Sequence, residues 1–144
     1  MEFIVGEEGS PKGEISKKWF EDNIGEKFEN RFSSIAFLKD NKIQAVALFN
    51  NYTGNNIDFH YYGPRITRGN FRRVLDYVFN FLQCNRLTTV PHREHVKTIN
   101  ILPRLGFMQE ATLKYYYGVD DSKDALVYVL TKSRAMDWLK HKSN

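Results

Sequence analysis

With 144 residues, 42% of them hydrophobic and 15% aromatic, the chain can bury a core and is too aromatic for disorder. Its single cysteine, Cys84, excludes an internal disulfide and a cysteine-built zinc site, and no spacing of His and carboxylates suggests any other metal site. A net charge of +4 favours anionic ligands without marking a nucleic-acid binder.

No apolar run approaches the roughly 18 residues of a membrane span, and the amino terminus lacks the basic start and apolar stretch of a signal peptide. One soluble α/β (α+β) domain over residues 1–144, in the cytoplasm and away from membranes, is therefore expected.

Residues 6–14 are rich in turn formers and read as a loop before a short helix from Ile15 to Asn23. Ser34–Lys39 and Ile43–Asn50 are β-prone and flank the turn Lys39-Asp40-Asn41-Lys42, which predicts a hairpin. A second turn at residues 51–55 leads to a third strand, Asn56–Tyr62, and so to an antiparallel meander. From Asn70 to Gln83 the apolar period turns helical, with Phe71, Val74, Leu75, Val78, Phe79 and Leu82 on one face. Arg86–Val90 reads as a strand stopped by Pro91, followed by a helix from Glu94 that must end or kink near Pro103. Met108–Tyr117 and Ala125–Thr131 are the last strands, separated by the polar turn 118–123, and a basic helix runs from Lys132 to about Lys142.

The junction Gly63-Pro64-Arg65-Ile66-Thr67-Arg68-Gly69-Asn70 joins a strand to the strongest helix and carries two arginines and no acid. The free N–H groups and positive dipole end of a first helical turn suit phosphate, and Gly69 lets the backbone come close to a ligand. The same segment also reads as a plain loop with solvated arginines and Thr67 or Asn70 as the N-cap. It is neither a P-loop nor a dinucleotide-binding glycine pattern.

Arg86-Leu87-Thr88-Thr89-Val90, then His95-Val96-Lys97-Thr98, then Pro103-Arg104-Leu105-Gly106-Phe107-Met108-Gln109-Glu110-Ala111 resemble the C-terminal half of the GNAT superfamily of N-acetyltransferases. Asp124–Leu130 resembles that family's final strand, and the Arg134–Leu139 tail is similar to that of small phage and bacterial members related to ribosomal-protein acetyltransferases. Gly69 fits the central glycine of the family's pyrophosphate loop.

The resemblance implies a mixed, largely antiparallel sheet with flanking helices and a splayed central pair of parallel strands, Asn56–Tyr62 and Arg86–Val90. It implies acetyl-CoA as co-substrate, held through Tyr61, Arg65, Thr67, Arg68, Gly69, Asn70 and His95, with a backbone N–H near the end of the Asn56–Tyr62 strand polarising the thioester carbonyl. A primary amine on a protein N-terminus, a lysine or a small molecule would be the acceptor; a homodimer stays open.

Five positions depart from the family pattern. Ile66 replaces the Gln or Arg and Phe71 the Gly or Ala at the two ends of the pyrophosphate loop, His95 stands for an asparagine, Leu102 stands where many members carry a thiolate-protonating tyrosine, and Ala111 stands for the glycine after the acid at Glu110. His60 is the candidate base, since its strand borders the implied cleft and an imidazole titrates in the right range. Asp58 shares its face, although alternation equally makes both of them ordinary polar residues of a half-exposed strand. Tyr115 and Tyr117 are expected on one face of their strand and Tyr116 on the other, as core and rim packing, a stacking platform or an acceptor rim. Two other readings stand beside the enzyme: a GNAT-fold binding module for a protein or nucleic acid that has lost catalysis, and a small RNA-binding domain.

Overall fold

The computed structural model describes residues 2–28, 31–120 and 123–140. It opens with strand β1 (Glu2–Glu7), which the sequence does not announce and which takes Gly6 and Glu7 from the loop expected over residues 6–14. Phe-Ile-Val is too short a run to stand out by itself; it becomes a strand because a partner edge is available, Glu2 to Glu7 pairing antiparallel with Leu38 to Ser33. Helix α1 (Pro11–Ile24) starts four residues before Ile15, because Ser10 Oγ accepts the Gly13 N–H at 3.0 Å and Pro11 needs no N–H in the first turn. A Cβ at Gly13 would lie 2.0 Å from the Glu7 carbonyl oxygen, so glycine there lets α1 press onto β1.

Strands β2 (Ser33–Lys39), β3 (Lys42–Asn50) and β4 (Asn56–Tyr62) form the expected antiparallel meander. Asp40 and Asn41 both take left-handed backbone angles, φ 54° and 64°, as a two-residue hairpin turn requires. Helix α2 (Arg68–Leu75) begins two residues before Asn70, capped by Thr67, and widens into a π-helical turn over Asp76–Phe81. Strand β5 (Arg86–Thr89) follows, then helix α3 (Val96–Ile101), which starts two residues after Glu94, and a tight turn at Pro103–Leu105.

Strand β6 (Met108–Leu113) is shorter than expected. Tyr115 takes φ 58° and gives its N–H to the Asp124 carboxylate at 2.8 Å, so the three tyrosines lie in an irregular loop and do not alternate across a strand. Strand β7 (Ala125–Thr131) and helix α4 (Lys132–Lys140) complete the described chain; positions 121–122 of the polar turn and 141–142 of the last helix lie outside the described residues.

The sheet order is β1-β2-β3-β4-β5-β7-β6, antiparallel except for β4 beside β5. One face packs Phe37, Phe49 and Phe59 against Phe71, Phe79 and Phe107; the other sets Val46 and Leu48 against Phe20 and Phe32. Alternation along β4 sends Ile57, Phe59 and Tyr61 to the first core. Asp58, His60 and Tyr62 therefore face α1 and the segment after it, with Tyr62 6.0 Å from Trp19 on the helix and His60 5.3 Å from the Phe28 ring beyond its end. Among the described residues no helix is long and apolar enough to cross a membrane.

Candidate active site

β4 and β5 pair only from Asn56/Arg86 to Asp58/Thr88. Past that point β4 continues along β3 to Tyr62, while β5 follows β7. The two strands part, and the gap opens into a cleft of about 920 Å³. Backbone direction in the gap follows from its neighbours. Asn55 carbonyl accepts Arg86 N–H at 3.0 Å, and Phe59 carbonyl accepts the Thr89 hydroxyl at 3.0 Å, so odd-numbered residues of β4 point their backbone groups toward β5. The N–H of Tyr61 therefore points into the gap, where no strand among the described residues meets it. On the other side Lys132 N–H to Asn85 carbonyl and Leu126 N–H to Pro91 carbonyl turn those residues toward β7, which leaves Val90 facing the gap.

Helix α2 starts at the end of the same cleft. Thr67 Oγ1 accepts the Asn70 N–H at 3.1 Å and the Thr67 carbonyl accepts that of Phe71. Among the described residues the N–H groups of Arg68 and Gly69 are then left without a partner, an arrangement that suits an anion. A Cβ placed on Gly69 would meet nothing within 4 Å, so the space above this turn is open. Arg65, Arg68 and Arg104 converge on a side pocket of about 500 Å³ with Trp138, and the Arg68 guanidinium lies 5.7 Å from the Trp138 ring centre. Cations, free N–H groups and an aromatic face make a donor set that fits a nucleotide diphosphate. Asn70 is buried in the first turn and Phe71 sits wholly in the core, so the bulk at position 71 does not enter the pocket.

His60 lines the cleft. Its Nε2 lies 2.8 Å from Asn50 Oδ1, and an amide oxygen only accepts, so Nε2 carries the proton and Nδ1 is the basic nitrogen. Asp58 is engaged elsewhere, by Asn51 at 2.8 Å and Asn56 at 3.0 Å, and does not orient the ring through a hydrogen bond. Burial pushes the His60 pKa below 6.5, with Asp58 opposing, so the imidazole is kept neutral and ready to accept a proton.

The sign of this shift has a consequence for stability. The unfolded chain binds a proton at His60 more readily than the folded one, so stability is full above about 6.5 and is lost as pH falls. The melting temperature should drop as pH goes from about 7 to about 5, and His60→Gln should flatten part of that slope. An unchanged slope would show that His60 is not held neutral by the fold.

Tyr61 gives its hydroxyl proton to the Pro64 carbonyl at 2.6 Å, and burial raises its pKa to about 12, so the phenol serves the loop and only its backbone faces the gap. His95 stands at the N-terminal end of α3, makes no capping bond and lines the cleft. Leu102 is buried in the same wall and offers no proton. Sequence reasoning did not single out Arg104 and Trp138. Arg104 sits inside the Pro-Arg-Leu-Gly segment and Trp138 in the tail, and only folding brings them to the loop at residues 65–68.

Neither a protein-family model nor a curated protein sequence matches the chain. Solved structures do. A variant of the spermidine/spermine N-acetyltransferase SpeG from Vibrio cholerae superposes with a TM-score of 0.73 at 13% identity, over 94% of this chain and 98% of that one. A ribosomal-protein alanine acetyltransferase from Vibrio fischeri gives 0.60 at 19% identity, over 74% of this chain and 63% of that one. At these identities the likeness shows the fold, and it is the GNAT fold that the Leu105-Gly106-Phe107 region resembles in sequence.

Proposed function

We propose that the chain transfers an acetyl group from acetyl-CoA to a primary amine. The observation that carries this is the conjunction of a splayed parallel strand pair, with Tyr61 N–H turned into the gap, and a helix N-terminus flanked by arginines at the end of the same cleft. When bound, acetyl-CoA supplies an activated acetyl thioester. Arg68 and Gly69 N–H groups, with the Arg65, Arg68 and Arg104 side chains, would hold its diphosphate. The Tyr61 N–H would donate to the carbonyl on which negative charge develops. His60 Nδ1 would take a proton from the ammonium form of the acceptor, which must be neutral to attack.

The similar solved structures act, by name, on spermidine and on a ribosomal-protein alanine. We take the acceptor class to be a primary amine of this general kind, on a protein N-terminus, a lysine or a small molecule. Calorimetric titration with acetyl-CoA and with coenzyme A tests the reading. Micromolar affinity is expected, with the melting temperature raised as about 2.7 kcal/mol of stabilisation at a hundredfold excess over Kd requires. No binding at millimolar ligand would instead leave a GNAT-fold binding module.

A further inference from the structure

The cleft wall opposite His60 carries a second imidazole in fixed surroundings. His92 follows β5 across Pro91 and forms a bridge with Ala125. Its carbonyl accepts the His95 N–H at 3.0 Å, and the next N–H, of Arg93, is donated to the Asp124 carbonyl at 2.9 Å. The Tyr117 ring lies flat on the imidazole, with centroids 3.5 Å apart and planes 16° from parallel. Tyr117 is itself tied down, its hydroxyl donating to the Val90 carbonyl at 2.9 Å. A stacked ring on a pinned backbone has one orientation to offer.

In that orientation Nδ1 is sealed from solvent without a hydrogen-bond partner among the described residues. It lies 3.9 Å from Glu94 Oε1, and Lys123 Nζ holds that carboxylate from the other side at 3.1 Å. An unpartnered buried nitrogen is costly and calls for a reason. A nearby carboxylate is how a protein fixes the tautomer of an imidazole and stabilises its charged form while the other nitrogen works. The separation is long for a hydrogen bond, as such contacts often are before a ligand closes the site. Since the ring lines the cleft and Nδ1 is sealed, Nε2 is the nitrogen that meets a ligand.

We propose that His92, oriented by Glu94 and Tyr117, gives a proton to the thiolate released in acetyl transfer, a role that rests on the acetyltransferase reading. The amine, having lost one proton to His60, forms an N–C bond with the acetyl carbon. The C–S bond breaks and sulfur keeps the electron pair. The His92 imidazolium passes its Nε2 proton to that sulfur, leaving Nδ1–H toward Glu94. The new amide nitrogen sheds its second proton to water, water reprotonates His92, and His60 returns the proton it took to solvent, so that one proton is released overall.

Several charged or titratable groups face this ring. Burial and then His95 push its pKa down, as does Lys123, while Glu94 and Glu26 pull it up. Tyr117 stays neutral, its own pKa raised by burial. The free ring is thus held toward its neutral form, as at His60, and it is the negative charge developing on the sulfur beside Nε2 that draws a proton onto the imidazole and then takes it.

The test compares acetyl-CoA with para-nitrophenyl acetate, whose phenolate leaves without needing a proton. The acceptor is whichever of spermidine, benzylamine or an alanine-initiated peptide the wild-type protein acetylates. His92→Gln should lower kcat with acetyl-CoA by about a hundredfold or more, and with the ester by less than about threefold. His60→Gln should lose activity with both donors. Glu94→Gln leaves the Tyr117 stack in place and tests the dyad with acetyl-CoA alone. It should move the alkaline limb of kcat to lower pH, because the imidazolium loses its carboxylate. An equal loss with both donors in His92→Gln, or an unmoved limb in Glu94→Gln, overturns the proposal. A wild-type protein that binds acetyl-CoA but acetylates none of the three amines overturns the reading beneath it.

Discussion

Phe71→Ala is expected to cost about 3–5 kcal/mol of stability. Phe71 has no exposed surface and stands between the Phe107 ring at 6.1 Å and the Trp138 ring at 5.3 Å, edge-on to the latter. Truncation removes a ring from the junction of α2, α4 and the segment before β6, and the surrounding aromatics cannot all collapse into the space. The loss should appear as a fall in melting temperature of about 10 °C in a scan at neutral pH. The substitution also installs the small residue found in the GNAT loop pattern. If bulk at position 71 obstructed the pyrophosphate loop, the folded variant would bind coenzyme A more tightly. Because the ring points into the core and Thr67 holds the turn, its affinity at low temperature should instead match the wild type. A drop of less than about 1 kcal/mol would place Phe71 outside the core.

Much of the sheet is legible in the sequence because its strands are bounded by strong local signals. Asp40-Asn41 sets the hairpin, Gly63-Pro64 ends β4, and the apolar face from Phe71 to Phe79 marks a helix. What escaped depended on partners far along the chain. β1 forms only because β2 offers an edge, and β6 stops at Leu113 because buried Asp124 captures the Tyr115 N–H with Lys114 and Arg93 beside it. Tyrosines in alternation look the same on paper whether or not a distant carboxylate turns the backbone away.

The site divides in the same manner. Thr67, Arg68 and Gly69 announce locally a helix start of the kind that suits an anion. Arg104 and Trp138 join them only through tertiary packing, and His92 gains meaning only from Tyr117 and Glu94 around it.

Arg68→Glu should weaken coenzyme A binding at least about tenfold at low salt, since a favourable charge-assisted contact worth about 1.5–3 kcal/mol becomes a repulsive one. The variant separates binding from folding unusually well. Position 68 is the first residue of α2, where a carboxylate is favoured by the helix dipole by about 0.3–1 kcal/mol. That gain offsets loss of the guanidinium over Trp138, a contact of similar size, about 0.5–1 kcal/mol at an exposed site. The melting temperature should therefore stay near that of the wild type while affinity falls.

Two controls locate the effect. Pantetheine, which carries no phosphate, should bind both proteins alike, and the gap in coenzyme A affinity should narrow as salt screens the exposed charges. Equal coenzyme A affinity for a folded Arg68→Glu protein would remove the turn at residues 67–69 as the phosphate site. An equal loss for pantetheine would mean that position 68 shapes the cleft and does not act through charge.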